Sequence, residues 1–248
     1  MEAYAKFWKL YKQVLKSSVI RPDEAQFIRL VFLELDRENI EIPEVLYDVG
    51  CGDGRVSFFF GRSRYVKKLH LSDMSDSVWL ARSRFQAEGL KVTCFQTDFL
   101  TGTREIDQNS IVLAIGVINF LPDQYEAIHN LISKQPKIIF LGVTGYGMGG
   151  QIYKSLNIFR ASARLMRWRD KFIDHLDRKL SEKVKINSII YQLLIQVIKF
   201  LEPFVASTIY WLKRDEYIGA FESEGYRLFK EEELGLCRWF VFVRDSFE

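Results

Sequence analysis

The chain has 248 residues, 48% of them hydrophobic and 27% charged, which is enough apolar material for one substantial core carrying an accessory subdomain. A formal net charge of +3 argues neither for nor against a nucleic-acid partner, since an electrostatic footprint is made by clustered charge. Three cysteines, Cys51, Cys94 and Cys237, are too few for a disulfide framework, and Met1-Glu-Ala-Tyr-Ala-Lys6 is too polar and aromatic for a secretion signal, so a reducing, cytoplasmic setting is expected.

Tyr4, Phe7, Trp8, Tyr11 and Leu15 recur at spacings of three and four, the period of an amphipathic helix over residues 1–18. Pro22 opens a second helix through Phe27, Leu30, Val31 and Leu35, and residues 1–40 together read as a helical segment packed on the core. A first strand at Val45–Val49 then breaks into a glycine-rich run. Helices are expected at Val56–Gly61, Ser77–Glu88 and Asp123–Ser133, interleaved with strands at Val66–Leu71, Lys91–Phe95, Ser110–Ile115 and Lys137–Val143. Such alternation makes residues 41–145 an α/β core, a mostly parallel sheet with crossovers on both faces.

Residues 146–214 interrupt that order. Gly142-Val-Thr-Gly-Tyr-Gly-Met-Gly-Gly150 is rich in glycine directly after the fifth strand, so Gly145–Gly150 is expected to act as a hinge or to hug a ligand. The stretch beyond it is too long for a loop without helices of its own. Ile189–Leu201 is apolar almost all round, but Gln192, Gln196 and Lys199 interrupt it and Pro203 follows, short of the ~20 unbroken apolar residues of a membrane span. It reads as a helical lid, whose apolar face either forms its own core or lines a pocket for an aromatic or apolar molecule. Arg160, Arg164, Arg167, Arg169 and Lys171 leave contact with a membrane surface or with nucleic-acid phosphates open. From residue 215 a helix near Glu216–Ser223 and two strands, Tyr226–Lys230 and Cys237–Arg244, are expected to complete the core as an antiparallel hairpin at the sheet edge, joined by Glu231–Leu236.

The run Asp48-Val-Gly-Cys-Gly-Asp-Gly54 carries the most chemistry. Gly50, Gly52 and Gly54 let a ligand approach the backbone at the carboxyl edge of a parallel sheet. Neither GxGxxG nor GxxxxGK followed by Ser or Thr is present, and no lysine stands ready for a phosphate. Asp48 and Asp53 would oppose a pyrophosphate, yet suit a ligand carrying an amino group, a sulfonium and ribose hydroxyls. Asp73 and Asp98 end successive strand regions, so both should reach the same crevice.

This turn resembles the first motif of the class I S-adenosylmethionine-dependent methyltransferases, an acidic residue followed by GxGxG. Leu71-Ser-Asp-Met-Ser75, Phe95-Gln-Thr-Asp-Phe99 and Ala114-Ile-Gly-Val-Ile-Asn-Phe-Leu-Pro-Asp123 match further pieces in the same order, and the resemblance spans about residues 40–145. It implies a Rossmann-like three-layer sandwich with a seven-stranded, mostly parallel sheet, an antiparallel C-terminal hairpin, a helical lid insertion, and S-adenosylmethionine as cofactor. By the same resemblance Asp73 holds the ribose hydroxyls, Asp98 lies beside the adenine amino group, and Met74 and Phe99 flank the base. Asp48, Gly50, Cys51, Gly52 and Gly54 would form the cofactor turn, Ile115, Gly116 and Asn119 its wall, and Tyr11 would close over it.

Methyl transfer from a sulfonium is an in-line displacement, so alignment and exclusion of water contribute most of the rate. An oxygen or nitrogen acceptor can also require a base, for which His175 in the lid and His129 are the candidates; His70, within a strand, is read as structural. The Asn- or Asp-Pro-Pro-Tyr signature of enzymes that methylate amino groups of nucleic acid or protein is absent. Gly116-Val-Ile-Asn119 stands in its place, closer to the small-molecule enzymes, in which the position of Asn119 often carries histidine. The expectation is a cytoplasmic, metal-independent methyltransferase, without a membrane span, acting on a small, partly hydrophobic acceptor, and a homodimer is compatible with it. An RNA or protein methyltransferase and a noncatalytic S-adenosylmethionine-binding protein are the alternatives.

Overall fold

A computed structural model describes residues 20–146, 210–235 and 237–244 of the chain. The helix expected over 1–18 and nearly all of the expected lid, and with them Tyr11 and His175, lie outside the described residues.

Helix α1 (Pro22–Arg37) leads into β1 (Val45–Val49), and the chain continues through α2 (Arg55–Arg62), β2 (Lys68–Asp73), α3 (Ser77–Ala87) and β3 (Thr93–Gln96). A short helix α4 (Phe99–Gly102) and a 3₁₀ turn (Thr103–Glu105) precede β4 (Ile111–Ile115), which a second 3₁₀ turn (Ile118–Phe120) joins to α5 (Gln124–Ile132) and β5 (Ile138–Thr144). After the insertion come α6 (Arg214–Glu222), β6 (Tyr226–Leu234) and β7 (Cys237–Arg244). The seven strands form one sheet in the order β3-β2-β1-β4-β5-β7-β6. Every pairing from β3 to β5 is parallel, and β7 runs antiparallel to both β5 and β6. The order reverses between β1 and β4, so a crevice opens there at the carboxyl ends of the strands.

Both faces of the sheet are covered, which is why its central strands read as unbroken apolar runs. In β5, Ile138 and Phe140 pack into the layer of α1, α2 and α3 with Phe27, Phe60 and Phe85, while Ile139 and Leu141 pack into the layer of α5 and α6 with Leu131, Tyr217 and Phe221. No helix among the described residues is long and apolar enough to cross a membrane.

The hairpin differs from expectation in its turn. Glu231–Glu233, expected in the connection, continue β6 up to Leu234, and β7 begins at Cys237. Charge is tolerated there because β6 is the edge strand, where Glu231 and Glu233 pair with Arg238 across the ladder and Glu231 also with Arg214. β7 lies one strand in, as its buried run Trp239–Val243 requires.

Phe140 sits at the middle of the sheet with Phe60 edge-on at 5.5 Å. Truncating it to Ala should cost ~3–5 kcal/mol in urea unfolding, whereas Leu33→Ala on the exposed side of α1 should stay within ~0.5 kcal/mol. Equal losses for the two variants would contradict this placement of the core.

Candidate functional site: the glycine turn at the carboxyl edge

The turn after β1 is fixed by the end of β2. The amides of Gly50 and Cys51 both donate to the Ser72 carbonyl, at 2.8 and 2.9 Å. The amide of Gly52 donates to Asp73 Oδ2 at 2.7 Å, and Asp73 Oδ1 accepts from the amide and hydroxyl of Ser75 at 2.8 and 2.6 Å. Asp73 therefore ties the glycine turn to the loop that carries Met74, and its Oδ2 keeps an acceptor position for a ligand hydroxyl. Next to it the Thr97 amide donates to the Asp73 carbonyl at 3.0 Å, which brings the end of β3 and Asp98 to the same edge.

Two glycines show why no other residue serves. Gly50 has φ +75°, and a Cβ on it would lie 2.5 Å from Cγ2 of Val117, so β4's following loop closes directly against the turn. Gly54 caps α2 at φ +69°, where a Cβ would stand 3.0 Å from that of Ala81. At the end of β4 the Gly116 amide donates to the Gly142 carbonyl at 2.8 Å, and a Cβ on Gly116 would meet nothing within 4 Å among the described residues.

Charge is concentrated around this edge. Asp48, in β1, is 4% exposed. Burial pushes its carboxyl up to about 7; the charges of Asp73 and Asp53 add to the rise, while the Ser57 hydroxyl and Arg55 act against it. Asp98 caps α4 through the amide and hydroxyl of Thr101, at 2.9 and 2.8 Å, and those bonds hold its carboxyl below its ordinary value. No group of three His, Cys, Asp or Glu side chains among the described residues is arranged to hold a metal ion.

The fold thus brings Asp48, Gly50, Cys51, Gly52, Gly54 and Asp73 together, with Ile115 and Gly116 across the crevice and Asp98 beyond Asp73. Met74 is 58% exposed at this edge, whereas Phe99 is turned into the core. Asn119 corrects the expectation of a wall residue. Its carboxamide is buried and committed to backbone: Oδ1 accepts from the Thr144 amide at 2.9 Å, and Nδ2 donates to the carbonyls of Thr144 and Tyr210 at 3.2 and 3.5 Å. It fastens the end of β5 to the point where the chain returns from the insertion. Trp211 Nε1, donating to the Thr144 carbonyl at 2.9 Å, and Tyr146, whose hydroxyl donates to the Leu212 carbonyl at 2.9 Å, strengthen the same junction. Gly145, expected to be part of a hinge, is held there, since a Cβ on it would fall 1.9 Å from the Trp211 indole nitrogen. His129 lies on the exposed side of α5 and takes no part in the edge. Ser57, Ser72, Ser75 and Val117 were not anticipated; Ser57, one turn into α2, had the only visible signal, its spacing from Gly54.

Asp48 gives the site a pH signature. An unfolded Asp titrates near ~3.9, so between about pH 4 and 7 the folded chain keeps a proton that the unfolded chain has lost, and stability falls with rising pH across that window. Asp48→Asn should then unfold at the same urea concentration as the parent near pH 4 and be more stable at pH 8, by of order 1–4 kcal/mol. A difference that does not change with pH would contradict a buried, protonated Asp48.

Comparison with known proteins adds the following. No family model matches the chain, and no curated protein sequence matches it. Among solved structures it is similar to magnesium protoporphyrin IX methyltransferase from Synechocystis PCC 6803 with bound SAH, at 14% identity and a TM-score of 0.55 over 96% of this chain and 94% of that one. The same enzyme with bound SAM gives 13% identity and a TM-score of 0.53 over 96% and 90%. A S-adenosylmethionine-dependent methyltransferase from Clostridium acetobutylicum ATCC 824 is 10% identical with a TM-score of 0.54, covering 98% of this chain and 99% of the other. At such identities the likeness is one of architecture, and in architecture the chain has the Rossmann-like fold of the class I S-adenosylmethionine-dependent methyltransferases.

Proposed function

We propose that this chain binds S-adenosylmethionine at the glycine turn and transfers its methyl group to a small, partly hydrophobic acceptor. The observation that carries the reading is Asp73: a carboxylate at the end of β2, locked onto the turn through Gly52, with acceptor capacity left for a ribose hydroxyl. The cofactor would supply an already activated methyl group. The work left to the chain is to bind and orient it, through the turn amides and carboxylates, and to keep water from the line of displacement. The side of Gly116 that no described residue approaches, across the crevice from the turn, is where an acceptor would come in.

Two structural neighbours of the same architecture carry SAH or SAM, and the Synechocystis enzyme is named for its action on magnesium protoporphyrin IX, a small molecule beside a protein or an RNA. That supports the small-molecule reading. None of the described residues is assigned as a general base; His129 is exposed in the last turn of α5.

Purified protein should bind S-adenosylhomocysteine in a calorimeter, and Asp73→Ala should weaken binding by ~1.5–3 kcal/mol, the range for a hydrogen bond to a charged group. Well-folded protein that takes up neither S-adenosylmethionine nor S-adenosylhomocysteine would overturn the proposal. Turnover is tested by incubating enzyme and labelled methyl donor with fractionated metabolite extract, in which label is expected to move to a low-molecular-weight, solvent-extractable product.

A further inference from the structure

Arginines of the helical layer α1–α2–α3 are anchored on aromatic rings, where other parts of the described surface use carboxylates. Arg29 of α1 places its guanidinium carbon 5.5 Å from the centre of the Phe59 ring of α2. The Phe58 ring of α2 carries two, Arg84 of α3 at 4.0 Å and Arg62 of α2 at 5.9 Å. Among the described residues neither Arg29 nor Arg84 has an ion pair, and Arg62 has only Glu88, at 3.9 Å between two exposed side chains. By contrast Lys67 is matched with Glu44, Lys230 with Glu34, and both Arg214 and Arg238 with Glu231.

Stacking occupies the flat face of a guanidinium and leaves the N–H donors on its rim available to an anion. Arg62 and Arg84 are a like-charged pair on one ring. Burial lowers the Arg84 guanidinium and Arg62 adds to this, while Asp53 and Glu88 act against it. A guanidinium keeps its proton at such a site, so an external anion is what relieves the repulsion. Apolar residues share the strip. Leu33 lies one turn beyond Arg29 on α1 and Leu80 one turn before Arg84 on α3, each on the same side of its helix as that arginine, and they are 56% and 54% exposed. Phosphate alone would satisfy the arginines and leave both leucines in water. The boundary between phospholipid headgroups and acyl chains accommodates cations and aliphatic side chains together.

We propose that the outer face of α1–α2–α3, from Leu33 and Arg29 through Arg62 to Arg84 and Leu80, is a peripheral docking surface for a bilayer containing anionic phospholipid. The arginines meet headgroup phosphates through the donors that stacking leaves unused, and the two leucines enter the headgroup–acyl boundary. The inference does not depend on what the glycine turn binds.

The test sediments the full chain with vesicles of phosphatidylcholine alone and of phosphatidylcholine mixed in equal amounts with phosphatidylglycerol. The chain should partition onto the mixed vesicles only, and more weakly as salt is added. Arg62→Gln combined with Arg84→Gln should lower the partition coefficient by about fivefold for each arginine removed, and Leu33→Gln combined with Leu80→Gln by about fivefold or more. Lys213→Gln, at the start of α6 in the opposite layer, should leave it within about twofold of the parent. No binding to mixed vesicles, or equal binding to phosphatidylcholine alone, would overturn the assignment. Binding that survives loss of both arginines would also overturn it and move the contact to another part of the chain. Binding that the leucine pair leaves unchanged and that a single-stranded RNA oligonucleotide abolishes would hand the strip to nucleic-acid phosphate instead. Should the arginine variants fail to fold, a polarity-sensitive dye on Leu33→Cys decides: a blue shift on mixed vesicles is expected, and an unchanged spectrum would refute docking through this face.

Discussion

Three successive backbone amides, those of Gly50, Cys51 and Gly52, are drawn onto two residues at the end of β2, the Ser72 carbonyl and the Asp73 carboxylate. The rest of the site depends on this constraint. A chain leaving a strand in this way must take positive φ at alternate positions, as it does at Gly50, Gly52 and Gly54, and must carry no side chain where Val117 closes in. Because β1 lies between β2 and β4, one turn meets residues from both neighbours. Asp73 holds the turn and the Ser75 loop together, and under the proposed function the same group would also contact the ligand.

Charge follows from that geometry. Asp48 is placed under the turn by the parallel register of β1, opposite Leu71 and Leu113, and so sits among apolar neighbours and other carboxylates, where ionisation is disfavoured. Glu24 and Arg55 approach the same turn from α1 and α2, where they neutralise each other at close range. An edge of this kind disfavours phosphates and favours ligands with positive charge and hydroxyls.

Much of this was legible in the sequence because it is local. β1 and β7 begin and end where their apolar runs do, and Asp123 caps α5 as its position before the helical period implies. β2 starts two residues later than its apolar pattern suggests: Val66 is buried, but the amides of Lys67 and Lys68 turn to the Glu44 carbonyl before the ladder begins. The three consecutive glutamates of β6 hid a strand, since polarity reads as a loop until the edge position that permits it is known. Asn119 was found in sequence but given the wrong surroundings. Its decisive partner, Tyr210, is 91 residues away, and no periodicity or spacing reports on a contact of that range. The pairing of Glu24 with Arg55 was invisible for the same reason.

Competition between cofactor classes tests the central claim most directly, because a glycine turn that serves a dinucleotide and one that serves a sulfonium nucleoside differ above all in charge. In displacement titrations of bound S-adenosylhomocysteine, NAD and ATP should compete poorly, their phosphates being brought against the carboxylates of Asp53 and Asp73 while Arg55, the cation at the turn, is already paired with Glu24. Displacement by NAD at micromolar concentration would contradict the account, since it would mean that the carboxylates around the glycine turn do not govern what binds there.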